Sequence, residues 1–201
     1  MPGDRSHRGE VFVVFPYMDH DLCGLLLNKD FRMTHSIAKL LLKQILEGLS
    51  YMHANNIIHR DLKTANILVS KEGSVMIADF GLARTLGVEE MPKHSPHEYT
   101  NMVVTRWYRA PELLLGDTQY TTAVDMWSMG CILGEMYLRE PIFPGASDKD
   151  QLFRIFQRAG PPTHLSWPGW KKLPGFPEAE DHPWDQVHRD MTLLQCARKW
   201  Q

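Results

Sequence analysis

Residues 57–84 read IIHRDLKTANILVSKEGSVMIADFGLAR, a stretch that sets many polar side chains between runs of Ile, Leu and Val. Ile67, Leu68 and Val69 precede the turn Ser70-Lys71-Glu72-Gly73, and Val75 and Ile77 follow it. Short β-forming runs on either side of a turn that contains glycine predict a β-hairpin from Ile67 to Ala78, with Gly73 where positive φ is needed. Asn66 and Asp79 then stand at the two open ends of that hairpin. The loop before it carries His59, Arg60, Asp61 and Lys63, so the polar residues gather at one edge of the strand pair. That edge suits a phosphate and a metal ion.

The bulk properties permit such a site without pointing to it. The chain has 201 residues, 43% hydrophobic and 23% charged, with a formal net charge of -2. This fits one ordinary domain or a little more, and no basic excess argues for nucleic acid. The three cysteines, Cys23, Cys131 and Cys196, are far apart and match neither a metal-ligand spacing nor a disulfide framework, which favours a reducing, intracellular compartment. The polar start MPGDRSHRGE lacks the apolar core of a signal peptide, and no apolar run is long enough to cross a bilayer.

Outward from the hairpin, VFVVFPYM (Val11 to Met18) reads as a short buried strand closed by Pro16, without visible partners. From Thr34 to His53, Ile37, Leu41, Ile45, Leu49 and Met52 recur at helical spacing, with Thr34 as N-cap. Leu40, Leu42 and Leu46 widen the stripe and predict a largely buried helix. A second helix begins near Thr122, where Thr122-Ala123-Val124-Asp125 resembles a capping box, and Gly130 and Gly134 predict close packing along it. Residues 148–160 predict a third helix, with Leu152, Ile155 and Phe156 on one face and Gly160-Pro161-Pro162 as the stop.

HRDLKTAN (59–66), DFG (79–81) and APE (110–112) occur in that order, with a hairpin between the first two and a helix after the third. Together they resemble the catalytic loop, metal loop and activation-segment end of a eukaryotic protein kinase. The resemblance implies a mainly α fold with a small β-hairpin, namely the large, C-terminal lobe of a protein kinase. It implies that Asp61 is the base orienting the attacking hydroxyl, that Lys63 neutralises the γ-phosphate, and that Asn66 and Asp79 ligate Mg2+, with ATP as the phosphoryl donor. The bland reading makes Asp61, Asn66 and Asp79 turn formers. His59 is read as a packing and hydrogen-bonding residue.

A finer resemblance lies in EYTNMVVTRWYRAPELLLG (98–116), which is similar to the activation segment of cyclin-dependent kinases. It implies that Thr100 is the activating phosphosite, that Arg60 and Arg84 bind its phosphate, and that Thr105 bridges Asp61 and Lys63. Val103, Val104 and Arg109 match the pocket that favours a proline after the phosphoacceptor, which implies a Ser/Thr-Pro protein substrate. Upstream, Phe15 matches the gatekeeper, Pro16 to Met18 the adenine edge, Asp21 the ribose contact and Leu68 the floor under the base, although Leu68 is equally a core strand residue. Asp125 is either a helix cap or the family residue that bonds the catalytic-loop backbone. HDLCGLL, YTTAVDMWSMGCILGEM and WPGW resemble the transcription-associated members, including the fungal Bur-type and metazoan elongation-factor kinases. That implies a cyclin partner, the RNA polymerase II tail as substrate, and the nucleus, with no direct nucleic-acid or membrane contact.

The departures shape the expected organisation: 1–10 a polar start, 11–20 a remnant of the last small-lobe strand and hinge, 21–169 the kinase large lobe, and 170–201 a divergent tail. No glycine-rich loop, strand lysine or partner glutamate precedes Val11, so the small lobe is expected to be almost entirely absent. The arginine expected to pair with Glu112 has no counterpart downstream. Three readings follow: an active kinase represented by an incomplete chain, a catalytically inactive fragment acting as a binding module, and a truncated gene product.

Overall fold

The computed structural model describes residues 12–86 and 106–176. Residues 12–18 form no strand, against the expectation for VFVVFPYM, and Phe12, Val13, Val14, Phe15 and Tyr17 are all exposed. An apolar run states a demand for burial, but a strand also needs backbone partners, and none reaches this segment among the described residues. Pairing begins at β1 (His20–Asp21), which the chain leaves directly into α1 (Leu22–Leu27). Asp21 caps that helix by accepting the Gly24 N–H at 2.8 Å.

The amphipathic segment forms α2 (His35–Ala54), and the Thr34 hydroxyl accepts the Ile37 N–H at 3.2 Å as its cap. Its buried stripe is Ala38, Leu41, Ile45, Leu49 and Met52, while Leu42 and Leu46 are half-buried and Leu40 is exposed. The helix is therefore buried on one face, and the additional leucines do not all turn inward as expected. After it come β2 (Ile57–Ile58) and the predicted hairpin, realised as β3 (Ile67–Val69) and β4 (Val75–Ile77). Gly73 adopts φ 84°, the left-handed region that favours glycine in the turn. β1 adds antiparallel to β3, giving a three-stranded sheet in the order β1-β3-β4 with His20 opposite Val69 and Asp21 opposite Leu68. A separate ribbon pairs β2 with β5 (Arg84–Thr85).

Beyond these lie α3 (Pro111–Leu114), α4 (Ala123–Leu138) and α5 (Asp148–Ala159). The expected capping box at α4 does not form. Thr122 sits at φ -57°, ψ -13°, already helical, and its side chain makes no cap bond, while Asp125 is used elsewhere. Gly134 has the Ile142 side chain in the space a Cβ would need, but Gly130 faces nothing within 4 Å and is exposed, so only one of the two glycines permits close packing. α5 is as expected: Ser147 caps it through the Asp150 N–H at 3.1 Å, Leu152, Ile155 and Phe156 are buried, and Gly160 ends it at φ 90°. Residues 170–176 continue onto the body, where the Gly175 N–H donates to Leu115 O at 2.9 Å.

One hydrophobic cluster joins these pieces: Leu22 and Leu26 of α1, Leu41, Ile45 and Leu49 of α2, Ile67 of β3, Ile132 and Met136 of α4, and Ile155 and Phe156 of α5. Each such side chain stabilises the fold by roughly 1.5–3 kcal/mol on burial, and truncating a fully buried one such as Ile45 or Ile132 to alanine costs roughly 2–5 kcal/mol. Arg139, just past α4 at φ 59°, ties the body to α1 by donating to the carbonyls of Leu26, Asn28 and Phe31. α4 and the α2–β2 connection thereby form the base on which the loop 59–66 rests.

Candidate active site

The loop from His59 to Asn66 is held from below by one carboxylate. Asp125 is fully buried; it accepts the backbone N–H groups of His59 and Arg60 at 2.9 Å each and bonds His53 Nε2 at 2.8 Å. Of the two roles open to Asp125 in the sequence, the described hydrogen bonds are those of loop support rather than of a helix cap. With its N–H fixed in this way, Arg60 takes φ 68°, an uncommon conformation for a residue with a side chain and one that clusters where the surrounding structure over-determines it. His59 is also fully buried: its Nε2 bonds Ala78 O at 2.9 Å, its Nδ1 accepts the Asp61 N–H at 3.3 Å, and its ring lies 5.2 Å from that of Phe80.

On that support the polar groups converge. Lys63 Nζ lies 2.7 Å from Asp61 Oδ2 in a mostly buried ion pair. Asn66 donates through Nδ2 to Asp61 O at 2.8 Å and stands 3.4 Å from Asp61 Oδ2, which leaves its amide oxygen without a hydrogen bond among the described residues. Across the hairpin the Ala78 N–H donates to Asn66 O at 2.9 Å, which fixes Asp79 one residue beyond. Asp79 is exposed and left-handed at φ 64°, and among the described residues its carboxylate has only a long contact from the Gly81 N–H at 3.4 Å. A free carboxylate and a free amide oxygen at the two hairpin ends are hard oxygen donors of the kind Mg2+ takes when waters and phosphate oxygens complete its shell. The described residues contain no cluster of three or more His, Cys, Asp or Glu that would hold a metal by themselves.

The remaining sequence-derived positions divide. Leu68 is half-buried on β3, opposite Asp21, whose carboxylate is engaged at the α1 cap. Met18 is half-buried, whereas Phe15 and Pro16 are exposed. Arg84 is exposed and donates to Ala83 O at 2.9 Å, while Arg60 donates through Nε to Leu82 O and through Nη1 to the Tyr120 hydroxyl, both at 2.6 Å. Arg109 is half-buried and lines the same pocket as Arg60. Thr100, Val103, Val104 and Thr105 lie outside the described residues. Glu112 has no ion-pair partner among the described residues, and burial, followed by the charge of Asp117, raises its pKa.

A second buried polar cluster touches the same loop and was not anticipated. Thr64, next to Lys63, has its hydroxyl 3.0 Å from the Tyr108 hydroxyl and 3.2 Å from Glu135 Oε1, and Tyr108 donates to Glu135 Oε2 at 2.5 Å. Burial raises the Glu135 pKa against the lowering effect of these hydroxyls, and burial also pushes the Tyr108 phenol up. Helical spacing offered one signal for it, because Glu135 falls on the buried face of α4 with Ile132 and Met136. A carboxylate there requires donors.

A family model described as protein kinase domain matches residues 5–194. Among curated proteins, the chain is 49% identical over 189 residues to a probable cyclin-dependent kinase 9 of Schizosaccharomyces pombe, an alignment covering 90% of this chain and 32% of that protein. It is 51% identical over 185 residues to a serine/threonine-protein kinase of the Bur type in Yarrowia lipolytica, covering 86% of this chain and 25% of that protein. The chain thus spans a third or less of the length of these relatives. Among solved structures, a chain of the yeast RNA Pol II CTD kinase CTDK-1 complex aligns with a TM-score of 0.76 and 43% identity, over 89% of this chain and 57% of that one. No helix among the described residues is long and apolar enough to cross a membrane.

Proposed function

The chain belongs to the protein kinase domain family, and from that premise we propose that it carries the catalytic half of a serine/threonine kinase of the cyclin-dependent, transcription-associated type. Residues 21–169 are read as its large lobe, with 11–20 as the hinge side and the small-lobe wall of the cleft supplied from outside the described residues. The carrying observation is the meeting of Asp61, Lys63 and Asn66 beside Asp79, on a loop fixed by Asp125. Asp61 accepts the hydrogen of the substrate hydroxyl and aims its oxygen at phosphorus. Lys63, already held by Asp61, offsets charge on the transferring phosphoryl group. As the new O–P bond forms, the bond from the γ-phosphorus to its bridging oxygen breaks, the proton passes to Asp61, and ADP leaves. Asn66 and Asp79 would hold Mg2+, which supplies neutralisation of phosphate charge when bound.

By resemblance, the substrate is a Ser/Thr-Pro segment and the compartment the nucleus; the names of the relatives support a cyclin as partner and the RNA polymerase II tail as substrate. Thr100 is read as a phosphosite answered by Arg60 and Arg84, and Val103, Val104 and Arg109 as the proline pocket. The test is Asp61→Asn in the full-length kinase containing this chain, assayed with ATP, Mg2+, its cyclin and a Ser-Pro peptide. Turnover should fall by roughly 10²- to 10⁴-fold with the apparent nucleotide affinity little changed. Equal turnover in the two proteins would remove Asp61 from the chemistry.

A further inference from the structure

Lys63 and Asn66 stand at the two ends of one 3₁₀ turn, Thr64–Asn66, in which the Asn66 N–H donates to Lys63 O at 2.9 Å and the Ile67 N–H to Thr64 O. So short a turn has poor hydrogen-bond geometry and little rigidity of its own. Asp125 holds the loop earlier, at His59 and Arg60. Within the turn Ala65 is exposed and Asn66 donates back to Asp61, whereas the buried Thr64 hydroxyl reaches out of the loop to Tyr108 and Glu135.

Those three side chains make three oxygen-to-oxygen contacts: Thr64 to Tyr108 at 3.0 Å, Thr64 to Glu135 at 3.2 Å and Tyr108 to Glu135 at 2.5 Å. Each contact needs a hydrogen between its oxygens. Thr64 and Tyr108 supply one each, and an ionised carboxylate supplies none. With Glu135 ionised both hydroxyls turn toward it, and the Thr64 and Tyr108 oxygens face each other without a hydrogen. A proton on Glu135 completes a ring in which every group donates once and accepts once. Burial favours that neutral form, since it raises the Glu135 pKa. The neighbours do not oppose it. Cys23 of α1 and Cys131 of α4 stand near as thiols kept neutral chiefly by burial, and burial does the same for the Tyr108 phenol. Lys63 and Arg139 line the same cavity of about 280 Å³, but Lys63 is taken by Asp61 and Arg139 by the carbonyls of Leu26, Asn28 and Phe31.

We propose that Thr64 is a positioning residue for Lys63 and Asn66, held by a protonated Glu135 through a closed ring of three hydrogen bonds with Tyr108. The positioning role rests on the reading of Lys63 and Asn66 as groups that meet phosphate and metal; the ring rests on its own geometry. Thr64 acts on the transfer through its neighbours in the turn, because a small displacement of groups that must align with the reacting atoms costs rate even when binding survives.

The test uses the full-length kinase containing this chain, with its cyclin, ATP, Mg2+ and a Ser-Pro peptide. Thr64→Val, which keeps the shape and removes the hydroxyl, should lower kcat by roughly tenfold with the peptide KM little changed, and Thr64→Ser should restore it. A packing role predicts the reverse, with valine tolerated and serine not, and that result would overturn the positioning role. Tyr108→Phe opens the ring from its other side and decides the matter if Thr64→Val does not fold. Ionisation removes one bond from the ring, so kcat should fall as pH rises through the Glu135 pKa of the folded enzyme. Glu135→Gln, whose amide donates and accepts, should abolish that limb. At neutral pH the infrared difference spectrum between the unaltered enzyme and Glu135→Gln should contain the carbonyl stretch of a protonated carboxyl; carboxylate bands in its place would overturn the ring. Asp61→Asn separates the two readings. If it leaves turnover unchanged, the functional reading falls and the positioning role with it, while the infrared band still decides the ring.

Discussion

Asp125 and Glu135 stand ten positions apart on α4, both buried and neither paired with a lysine or arginine among the described residues, yet they are held in different ways. Asp125 receives two backbone N–H groups and a histidine. Backbone donors cannot reverse their role, so this site demands an acceptor on both oxygens. Among the described residues Glu135 receives the hydroxyls of Thr64 and Tyr108, each able to donate or accept, and burial raises its pKa. Both carboxyls support the loop that carries Asp61 and Lys63: the first fixes its backbone, the second seals its far side. Acceptors are thus required on both oxygens at one support, whereas the other can exchange donor and acceptor.

The sharpest way to break that contrast is to remove the acceptors. Asp125→Ala should cost roughly 3–5 kcal/mol, because two buried N–H groups lose their partner, while Glu135→Gln should cost about 1 kcal/mol or less, since the hydroxyls can reorient around an amide. Denaturant unfolding of the two variants would decide, and equal losses would mean that donor type is irrelevant.

A smaller effect follows from proton linkage. With the Glu135 pKa raised above its ordinary 4.5, the folded chain binds more protons than the unfolded one as pH rises past that value. Stability from this group is therefore full below about pH 4.5, declines as pH rises toward the folded pKa, and stays reduced above it. Glu135→Gln should flatten this part of a stability–pH curve, and Glu112, raised in the same direction but half-buried, should contribute a remainder. A curve unchanged by Glu135→Gln would show that its carboxyl titrates alike in both states.

The smallest expected effect concerns Cys131, one turn before Glu135. Burial and then the Glu135 charge push its thiol up to about 12, so it should resist alkylation at pH 8 in the folded chain, whereas half-exposed Cys23 reacts slowly. Mass spectrometry after iodoacetamide treatment would show equal labelling if Cys131 were in fact accessible.

The same two carboxyls show where sequence reasoning reached and where it stopped. The hairpin was legible because its signals are local: β-forming runs, a turn and Gly73 lie within a dozen residues. For Asp125 the family pattern implied a bond to the loop backbone, whereas periodicity alone offered a capping box, which the helical backbone of Thr122 rules out. The Thr64–Tyr108–Glu135 cluster was missed because its members lie 27 to 71 positions apart and no pairwise spacing marks hydroxyls that meet only on folding. The strand expected over Val11 to Phe15 failed for the reciprocal reason. Apolar composition is readable one residue at a time, but a ladder requires a second chain segment.

Arg139 carries a consequence in time. Its contact with Leu26 spans 113 residues of chain, against 66 for Asp125 with His59, while α2 and α4 are built from near neighbours. Closing so long a loop costs chain entropy before any contact rewards it, so the helices are expected to form early and α1 to be locked in late. An interaction made after the rate-limiting step acts on escape from the native state rather than on arrival. In stopped-flow experiments Arg139→Met should therefore speed unfolding and leave refolding nearly unchanged; slowed refolding would place this clasp in the folding nucleus instead.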